Sequence, residues 1–435
     1  MTERPLVHVV VVDYDGGALT LDCLRSILAS DWPADRLRVV LVDNASSTPV
    51  TDTVTAELPR VQVVRSDENR GLAGGANLGM RERGDADFVA LVNNDATVTP
   101  GWLDPLVATF ADPAARIGAA CPKILLAAPA VEVTIDGPTH RRGRGDRRDL
   151  GVRLSGTRVG ADDLWRRTQL VEGFWGGEPM PAAESGGQWT AGRALLRVPV
   201  LTAEPPSTVG LRLAADAPVD VTVRAGSATT TLAVGTSPEW YEVATDGVPV
   251  EVVNNVGTVV AADGYCADRG WLEIDRGQYD EPVDVAAWCG AAVLLAKAYL
   301  DDVGLFDERL FLYYEDVELS RRGTRRGWRY RTAPDSIVRH VHSATSVEGS
   351  PLATHYNERN RLLVHCAHAG LGDVSRTFVR HLAVTGSYAV RDVVAPALRG
   401  QRPHAAVVGG RLRALGAAAA RLPGMRRNAP VAGPS

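Results

Sequence analysis

Apolar runs alternate with segments of helical spacing over the first 125 residues of the chain. Four of the runs are continuous and rich in β-branched residues, which is typical of strands buried on both faces of a sheet. These runs cover residues 6–14, 37–44, 61–66 and 87–94. Between the first two runs Leu21, Leu24 and Leu28 recur at helical spacing, and residues 75–83 carry small side chains before a charged end. The alternation predicts βαβ units that build a parallel sheet.

Polar side chains follow three of the four runs. They are Asp13, Tyr14 and Asp15 after the first, Asp43 and Asn44 after the second, and Asn93, Asn94 and Asp95 after the fourth. Because the carboxyl ends of parallel strands meet at one edge of a sheet, we expect these side chains to converge there. The Asn-Asn-Asp cluster offers hard oxygen ligands for Mg²⁺ or Mn²⁺ on a diphosphate, and a polar turn with an Asx hydrogen bond is the alternative.

The pattern changes between residues 126 and 284. Short runs rich in Val and Thr are separated by Gly, Pro and Asp turns, which predicts an inserted antiparallel β-sandwich-like domain. The arginine-rich stretch at 140–149 could bind phosphate or nucleic acid, but a solvated loop is the simpler interpretation, and we expect no nucleic-acid partner. Five tryptophans of the insert either form a sugar-stacking face or fill a core. They are Trp165, Trp175, Trp189, Trp240 and Trp271.

The last segment, residues 370–435, is rich in arginine and alanine. It contains ten arginines and two aspartates, and its apolar positions predict basic amphipathic helices with a disordered end. Such helices lie on anionic membrane surfaces, so we expect a peripheral membrane contact through this tail. A helix that packs on the rest of the chain is the alternative.

Composition sets the outer limits of the interpretation. The chain has 435 residues, 45% hydrophobic content and a net charge of -5, which indicates a globular protein of two or three domains. It contains no apolar run of about 18 residues and no signal-peptide pattern at its start, so we expect it in the cytoplasm. The five cysteines are scattered and lack metal-ligand spacing, and we interpret them as reduced packing residues.

The order of motifs resembles a known enzyme family. VVVVDYDGG, VLVDNASS, DENRGLAGGANLGM and LVNNDATVTPGWL occur in this order in the first part, and AWCGAAVLL, LYYEDVELS and VRHVHSATS occur in this order towards the other end. Together the two stretches cover about half of the chain and resemble the family 2 glycosyltransferases of the GT-A fold, in particular their rhamnosyltransferase-like branch. The resemblance implies a nucleotide-sugar-binding half at 1–125, the insert at 126–284, an acceptor and catalytic half at 285–369, and the basic tail at 370–435.

The resemblance also implies how the donor is bound. Tyr14 would stack on the nucleotide base, Asp43 would accept the imide hydrogen of a pyrimidine, and Arg70 and Gly71 would approach the phosphates. Simple strand-end polarity and a tight glycine loop are the alternatives for these residues. Asn94 belongs to the same binding cluster.

A metal site is implied by the late histidines together with the Asn-Asn-Asp cluster. Asp95 would hold Mg²⁺ or Mn²⁺ with His340, or with His342, because alternate residues of a strand point to opposite faces and only one histidine can reach the ion. Many relatives carry a second aspartate where this chain has Asn93, so we expect modest metal affinity.

Asp316 is the residue that we expect to act as general base. The family counterpart faces the anomeric carbon, and the start of a helix favours an ionised carboxylate. An N-capping aspartate is the alternative, and Glu315 is the neighbour most easily confused with it. Trp288, Cys289 and Gly290 would line the acceptor side.

The expected activity follows from this resemblance. We expect inverting transfer of a sugar, with rhamnose as the specific candidate, from a dTDP- or UDP-sugar to a cell-envelope glycan or a polyprenyl-linked acceptor. One alternative is a non-catalytic glycan-binding protein on a transferase scaffold. The other is a sugar-phosphate nucleotidyltransferase, which would need a glycine-rich loop with Arg and Lys after the first strand, where this chain has DYDGGALT.

Overall fold

The computed structural model describes residues 4–143, 148–175, 187–202, 204–341, 350–367, 369–400 and 402–428. In chain order the strands are β1 (Val7–Asp13), β2 (Leu37–Asp43), β3 (Val61–Arg65), β4 (Phe88–Asn93), β5 (Ala96–Val98), β6 (Ile117–Leu126), β7 (Ala130–Asp136), β8 (Arg153–Val159), β9 (Asp162–Asp163), β10 (Gln169–Trp175), β11 (Gln188–Pro199), β12 (Thr208–Ala214), β13 (Val219–Ala225), β14 (Ala228–Val234), β15 (Glu239–Ala244), β16 (Val253–Asn255), β17 (Thr258–Val260), β18 (Cys266–Asp268), β19 (Asp284–Val285), β20 (Ala292–Ala296) and β21 (Arg329–His340). The helices are α1 (Ala18–Leu28), α2 (Thr51–Glu57), α3 (Gly71–Arg81), α4 (Leu103–Ala108), α5 (Lys297–Val303), α6 (Glu315–Thr324), α7 (Pro351–Ala367), α8 (Leu371–Ala389), α9 (Ala395–Leu398) and α10 (Ala406–Asn428).

These elements form two units. The first unit consists of residues 1–127, 254–271 and 277–435, and the second consists of residues 128–253 and 272–276. The insert predicted at 126–284 therefore differs from the second unit at its far end, because the chain returns to the first unit at Asn254. Asn254 and Asn255 are buried there. Asn254 forms a hydrogen bond with His340, and Asn255 forms one with Asp268. The sequence around these two residues is rich in valine, like that of the preceding strands. A local sequence pattern does not show which sheet a strand joins, so the sequence did not reveal this boundary.

The sheet of the first unit places a reversal of strand order beside β1. Its order is β19-β21-β6-β20-β4-β1-β2-β3, and β4, β1, β2 and β3 are mutually parallel neighbours. The four strands predicted from the sequence and their parallel arrangement are thus confirmed. From β1 the chain continues to β2 and β3 on one side and returns to β4 on the other. Ligands of open α/β sheets bind outside the carboxyl ends of the strands at such a switch point, which here lies after Asp13 and Asn93.

Two apolar clusters cover the two faces of this sheet. On β1, Val9 and Val11 point to a cluster with Leu24 and Trp102, whereas Val10 points to a cluster with Met80. All six side chains are buried, as expected for a strand that is covered on both faces. The small residues of α3 let the helix pack closely on β1, because a Cβ at position 79 would lie 2.4 Å from Val10 Cγ1. This close approach brings the start of α3 next to the ends of β1 and β2.

The second unit is a single antiparallel sheet around its own core. The strand order is β14-β13-β7-β11-β8-β12-β15, with β10 on β11 and β9 on β8. The two ends of the sheet meet where the Tyr241 hydroxyl donates to the Ala233 carbonyl and accepts from Gly235 N, both at 3.3 Å. The antiparallel, sandwich-like insert predicted from the sequence is therefore present as one curled sheet. Of its tryptophans Trp189 is buried, whereas Trp240 is 39% exposed.

The C-terminal segment is helical, as predicted. Helices α8, α9 and α10 follow α7. Met425, near the end of α10, is buried in an apolar cluster with Leu362 and Leu363 of α7. Arg426 donates to the carbonyls of Cys366 and Ala369 at 2.9 and 2.8 Å, so the start of the segment predicted to be disordered belongs to α10. The remaining residues, 429–435, lie outside the described residues. Among the helices of the described residues, none is both long and apolar enough to cross a membrane.

Candidate active site

The ends of β1 and β4 meet at Asp13 and Asn94. Asp13 is fully buried, and its Oδ1 accepts hydrogen bonds from Gly16 N at 3.0 Å, Thr20 Oγ1 at 2.6 Å and Asn94 Nδ2 at 2.9 Å. A Cβ at position 16 would lie 2.1 Å from Asn94 Nδ2, so this turn needs glycine. The convergence predicted from the sequence is present here. The carboxylate of Asp13 is therefore hydrogen-bonded to these three donors, and it orients the Asn94 side chain.

Asp95 and His340 face each other beside this turn. Strand β21 pairs with β5 so that His340 lies opposite Ala96, and His340 Nε2 is 3.0 Å from Asp95 Oδ1. His340 Nδ1 donates to Asn254 Oδ1 at 3.0 Å, while Asn93 Nδ2 donates to Nε2 at 3.3 Å. The ring of His340 is thus held between Asn254 on its Nδ1 side and Asp95 on its Nε2 side.

The separation of the Asp95 carboxylate and the His340 imidazole suits two ligands of one divalent cation, with Nε2 deprotonated when the ion is bound. Neighbouring ligands around an octahedral ion with bonds of about 2.1 Å lie about 3 Å apart, which matches the distance between Asp95 Oδ1 and His340 Nε2. Among the described residues no group of three or more His, Cys, Asp or Glu side chains could hold a metal ion by itself. The pair therefore fits an ion whose other ligands come from a bound phosphate or from water. His342 lies outside the described residues.

The predicted nucleotide residues surround the ends of β1, β2 and α3. Tyr14 is 45% exposed, whereas Asp43 is fully buried and accepts from Ser46 N at 2.9 Å. The other oxygen of Asp43 lies 3.0 Å from Arg65 Nη1 without hydrogen-bond geometry. Arg65 was not expected from the sequence, because a single arginine at a strand end carries no distinguishing signal.

Asn44 fixes the glycine loop that contains Arg70 and Gly71. Its Oδ1 accepts from Arg70 N at 2.9 Å, and its Nδ2 donates to the Gly71 carbonyl at 3.1 Å. Gly71 has φ 68°, and a Cβ there would lie 2.2 Å from the Phe311 carbonyl oxygen. The Arg70 side chain is partly exposed. The loop is thus held by Asn44 and by the Phe311 backbone, and the Arg70 guanidinium donates to Ser66 Oγ at 3.3 Å and lies 3.6 Å from Glu68.

Asp316 lies in the first turn of α6. Its Oδ2 accepts from Gly290 N at 3.0 Å and its Oδ1 accepts from Val317 N at 2.7 Å. The N-cap position belongs to Tyr314, in the left-handed region, and not to Asp316. Simple N-capping, the alternative considered for Asp316, therefore does not describe its position.

Glu315 and Asp316 differ in their surroundings. Burial raises the pKa of both carboxyl groups; the charge of Asp316 raises the pKa of Glu315 further, whereas the Gly290 and Val317 amides lower that of Asp316. The shift is larger for Glu315, which is buried and whose Oε2 has no hydrogen-bond partner among the described residues. Glu315 therefore retains its proton to higher pH than Asp316, which is the carboxyl group suited to accept one.

Asp316 and His340 contact neighbouring strand ends, since Asp316 accepts from Gly290 N and His340 lies 3.3 Å from Asn93 Nδ2. Asn93 N donates to the Ala291 carbonyl at 2.9 Å, one residue after the amide that binds Asp316. A cavity of about 10 Å³ lies beside these residues and is lined among others by Asn93, Gly290 and Glu315. Such a volume is about that of one water molecule.

The loop before α6 is supported by residues that the sequence did not single out. Asn360 on α7 is fully buried, and its Nδ2 donates to the carbonyls of Leu310, Leu312 and Tyr313 at 2.9, 2.8 and 2.7 Å. Phe311, Tyr313 and Tyr314 in this loop all have positive φ. An asparagine at a buried position of a helix needs hydrogen-bond partners from another element. Such a position on α7 is the signal that could have identified Asn360.

Segment 254–271 also contributes to the site. Asn254 orients His340, and Asn255 donates to Asp268, whose charge raises the pKa of Asp316. The Tyr314 hydroxyl donates to the Gly264 carbonyl at 3.4 Å. These residues were missed because the sequence pattern assigned the whole segment to the insert.

Two family models match the chain. The model described as "Glycosyl transferase family 2" matches residues 8–127, and the model described as "Glycosyltransferase like family 2" matches residues 233–362. Together the two matches cover more than half of the sequence. They include the candidate donor-binding, metal-binding and base residues, namely Tyr14, Asp43, Arg70, Gly71, Asn94, Asp95, Asp316 and His340.

Curated relatives match over shorter stretches. An N-acetylglucosaminyl-diphospho-decaprenol L-rhamnosyltransferase of Mycobacterium tuberculosis is 34% identical over 90 residues, which is 20% of this chain and 29% of the relative. A pre-mycofactocin glycosyltransferase of the same organism is 30% identical over 102 residues, which is 23% of this chain and 20% of the relative. The chain therefore spans less than a third of the length of the curated relatives that it matches.

Solved structures resemble the chain at low identity. A mannosyltransferase from Pyrobaculum calidifontis, in complex with GDP-Man and Mn²⁺, is 15% identical, with 97% of this chain and 88% of that chain covered and a TM-score of 0.40. S. aureus TarS is 12% identical, with coverage of 86% and 41% and a TM-score of 0.38.

Proposed function

This chain belongs to the family 2 glycosyltransferases, and we propose that it moves a hexosyl unit from a nucleotide-diphospho-sugar to an acceptor hydroxyl with inversion at the anomeric carbon. The observation that carries the proposal is the pairing of two groups on one sheet edge. Asp95 and His340 face each other at 3.0 Å, and Asp316 is bound by the Gly290 amide on the neighbouring strand end. Leaving group and acceptor need these two kinds of group within one site.

Asp95 and His340 are the residues that would hold Mg²⁺ or Mn²⁺. When bound, the ion would neutralise negative charge on the departing diphosphate. Asn254 and Asn93 fix the imidazole so that Nε2 faces the carboxylate. Side chains that orient a ligand in this way commonly matter for metal affinity almost as much as the ligands themselves.

Asp316 accepts the proton of the attacking hydroxyl. The Gly290 and Val317 amides stabilise its ionised form, and the helix α6 dipole acts in the same direction. Glu315 remains protonated beside it, so the pair does not carry two adjacent charges. Attack from the side opposite the diphosphate gives inversion.

The nucleotide binds across the ends of β1 and β2. Tyr14 provides an exposed ring for the base, and Asp43 a buried carboxylate for its imide hydrogen. Arg70 and the Gly71 loop meet the phosphates, and Asn94 is held at the same edge by Asp13. A dTDP- or UDP-sugar meets these requirements.

Rhamnose is the specific donor sugar that we propose, with a polyprenyl-linked or other cell-envelope glycan as acceptor. The support is the 34% identity over 90 residues to a relative whose name combines L-rhamnosyl transfer with a diphospho-decaprenol acceptor. An acceptor of that kind would be met at the cytoplasmic face of a membrane, through the basic tail.

A thermal-shift screen tests the proposal. The protein is heated with UDP-, dTDP- and GDP-sugars, with and without Mn²⁺, and the unfolding temperature is recorded. A ligand at one hundred times its Kd stabilises the folded state by about 2.7 kcal/mol, which shifts this temperature measurably. We expect a rise that needs both nucleotide and metal, followed by measurable donor hydrolysis. No response to any nucleotide would contradict the proposal.

A further inference from the structure

Helix α8, the π-helical turn Val390–Val394 that follows it and helix α9 carry a row of large apolar side chains on their solvent side. Val379, Leu382, Val390, Val394 and Leu398 follow one another at intervals of three or four residues, apart from one step of eight, in which Gly386 occupies the intermediate position. Their exposed fractions are 65, 49, 60, 47 and 83%. We call this row the apolar stripe. Isolated exposed apolar residues are ordinary, but a row of five along successive helical turns marks an interaction surface.

The buried side of α8 combines polar and apolar contacts. Its two buried residues are His381 and Thr385. His381 Nε2 donates to the Arg411 carbonyl at 3.2 Å, and Arg411 Nε donates to Thr385 Oγ1 at 3.1 Å. Arg411 also pairs with Glu358 of α7 at 2.6 Å. Val374 and Phe378 of α8 pack against the apolar residues of α7, so α8 has apolar side chains on its inner side and also on its solvent side, where a surface helix is normally polar.

Positive charge accompanies the stripe. Residues 371–400 contain four arginines against two aspartates. Arg376, Arg380 and Arg391 have side chains that are 80, 68 and 66% exposed. Their ion pairs are surface pairs, which hold little free energy and exchange readily for another anion.

We propose that α8 and α9 lie in the headgroup region of an anionic membrane, with the apolar stripe inserted and the arginines in contact with lipid phosphates. An amphipathic helix with a basic border binds in this way through apolar burial together with electrostatic attraction. This membrane contact rests on the proposed function only for its purpose, because a polyprenyl-linked acceptor would be presented at such a surface. The stripe itself is independent of the donor site.

Vesicle co-sedimentation of the full chain tests this surface. Wild type should bind phosphatidylglycerol-containing vesicles, bind phosphatidylcholine vesicles less, and lose binding as salt is raised. The combined variant Val379→Gln, Val390→Gln and Leu398→Gln keeps all charges and should lower the partition coefficient about tenfold or more. The matched control is Val248→Gln, Val259→Gln and Leu352→Gln, three exposed apolar residues away from the stripe, and it should bind as wild type does.

Nucleotide-dependent thermal shifts are measured on the same proteins. A stripe variant that loses vesicle binding but keeps the wild-type nucleotide response supports the proposal. Vesicle binding with this pattern in a protein that responds to no nucleotide would refute the proposed function and leave the membrane surface standing. Equal vesicle binding by the stripe variant and wild type would overturn the proposal. A lipid-free dimer that the stripe variant converts to monomer would also overturn it, since a second copy would then cover the stripe.

Discussion

Asp316 and Glu315 are adjacent carboxyl groups that their surroundings assign to different tasks. Asp316→Asn keeps the size of the side chain and removes the proton acceptor, so transfer should fall by a factor of order 10² or more while nucleotide binding stays the same. Glu315→Gln keeps a neutral side chain in the buried position and should cost less. Turnover with saturating donor measures both. A near-normal rate for Asp316→Asn would rule it out as the base.

The pH dependence of turnover reports on the same carboxyl group. Burial raises the pKa of Asp316, and the base must be ionised to act, so the rate should fall as the pH drops through this raised pKa. We expect the acid limb of kcat clearly above pH 4, the region of an ordinary aspartate with a pKa of about 3.9. An acid limb at or below pH 4 would contradict the assignment.

Asn254 tests the orientation of His340 without relying on turnover. Asn254→Ala removes the acceptor for the Nδ1 proton, and we expect Mn²⁺ affinity in the presence of a nucleoside diphosphate to fall about 10- to 100-fold. Titration followed by electron paramagnetic resonance measures free Mn²⁺ directly. Asn254→Asp retains an acceptor oxygen and should bind Mn²⁺ at least as tightly as wild type. Unchanged affinity in Asn254→Ala would mean that the histidine needs no such support.

At the scale of elements, α7 fixes the loop between donor and acceptor sides. The Phe311 carbonyl accepts from Ala73 N of α3 at 3.2 Å, and the same loop leads into α6, with Asn360 bound to three of its carbonyls. The positive φ angles of this loop are unfavourable for non-glycine residues and persist only where neighbouring groups hold them. Asn360 thereby links the geometry of the glycine loop to that of Asp316.

Removing this support should be costly. Asn360→Ala removes a donor from the Leu312 and Tyr313 carbonyls, while Arg359 still donates to the Leu310 carbonyl, and at about 1–3 kcal/mol for each unsatisfied group we expect a loss of roughly 3 kcal/mol in the free energy of unfolding. Asn357→Ala on the exposed side of α7 is the matched control and should change it by less than about 0.5 kcal/mol. Urea denaturation compares the two. Equal small effects would show that the loop is held by other contacts.

At the scale of the whole molecule, the two units have separate cores and should respond to different perturbations. A nucleotide with Mn²⁺ should raise the unfolding transition of the first unit, because only that unit contains the proposed site. Leu211→Ala, in the core of the second unit, should lower the free energy of unfolding of that unit by about 2–5 kcal/mol and thereby lower the temperature of the other transition. Scanning calorimetry resolves the two. A single transition that moves with both perturbations would show that the units unfold as one.

The sequence by itself determined the features that repeat locally. Continuous Val-rich runs predict strands buried on both faces, and the polar residues that end them predict a ligand edge, because strand period and strand ends are written in neighbouring residues. The structure confirms those strands and the convergence of Asp13 and Asn94. Tyr14, Asp43, Asp95, His340 and Asp316 could be named from short motifs for the same reason.

Only the tertiary structure decided which distant residues support those motifs. Asn254 meets His340 across 86 positions of the chain, and Asn360 meets Leu310 across 50. The return of the chain to the first unit at residue 254 and the outward apolar face of α8 were decided at the same level. Periodicity records whether a side chain is buried but not what buries it. A buried polar group takes its partner from whichever element packs against it, and that choice is made only when the whole fold forms.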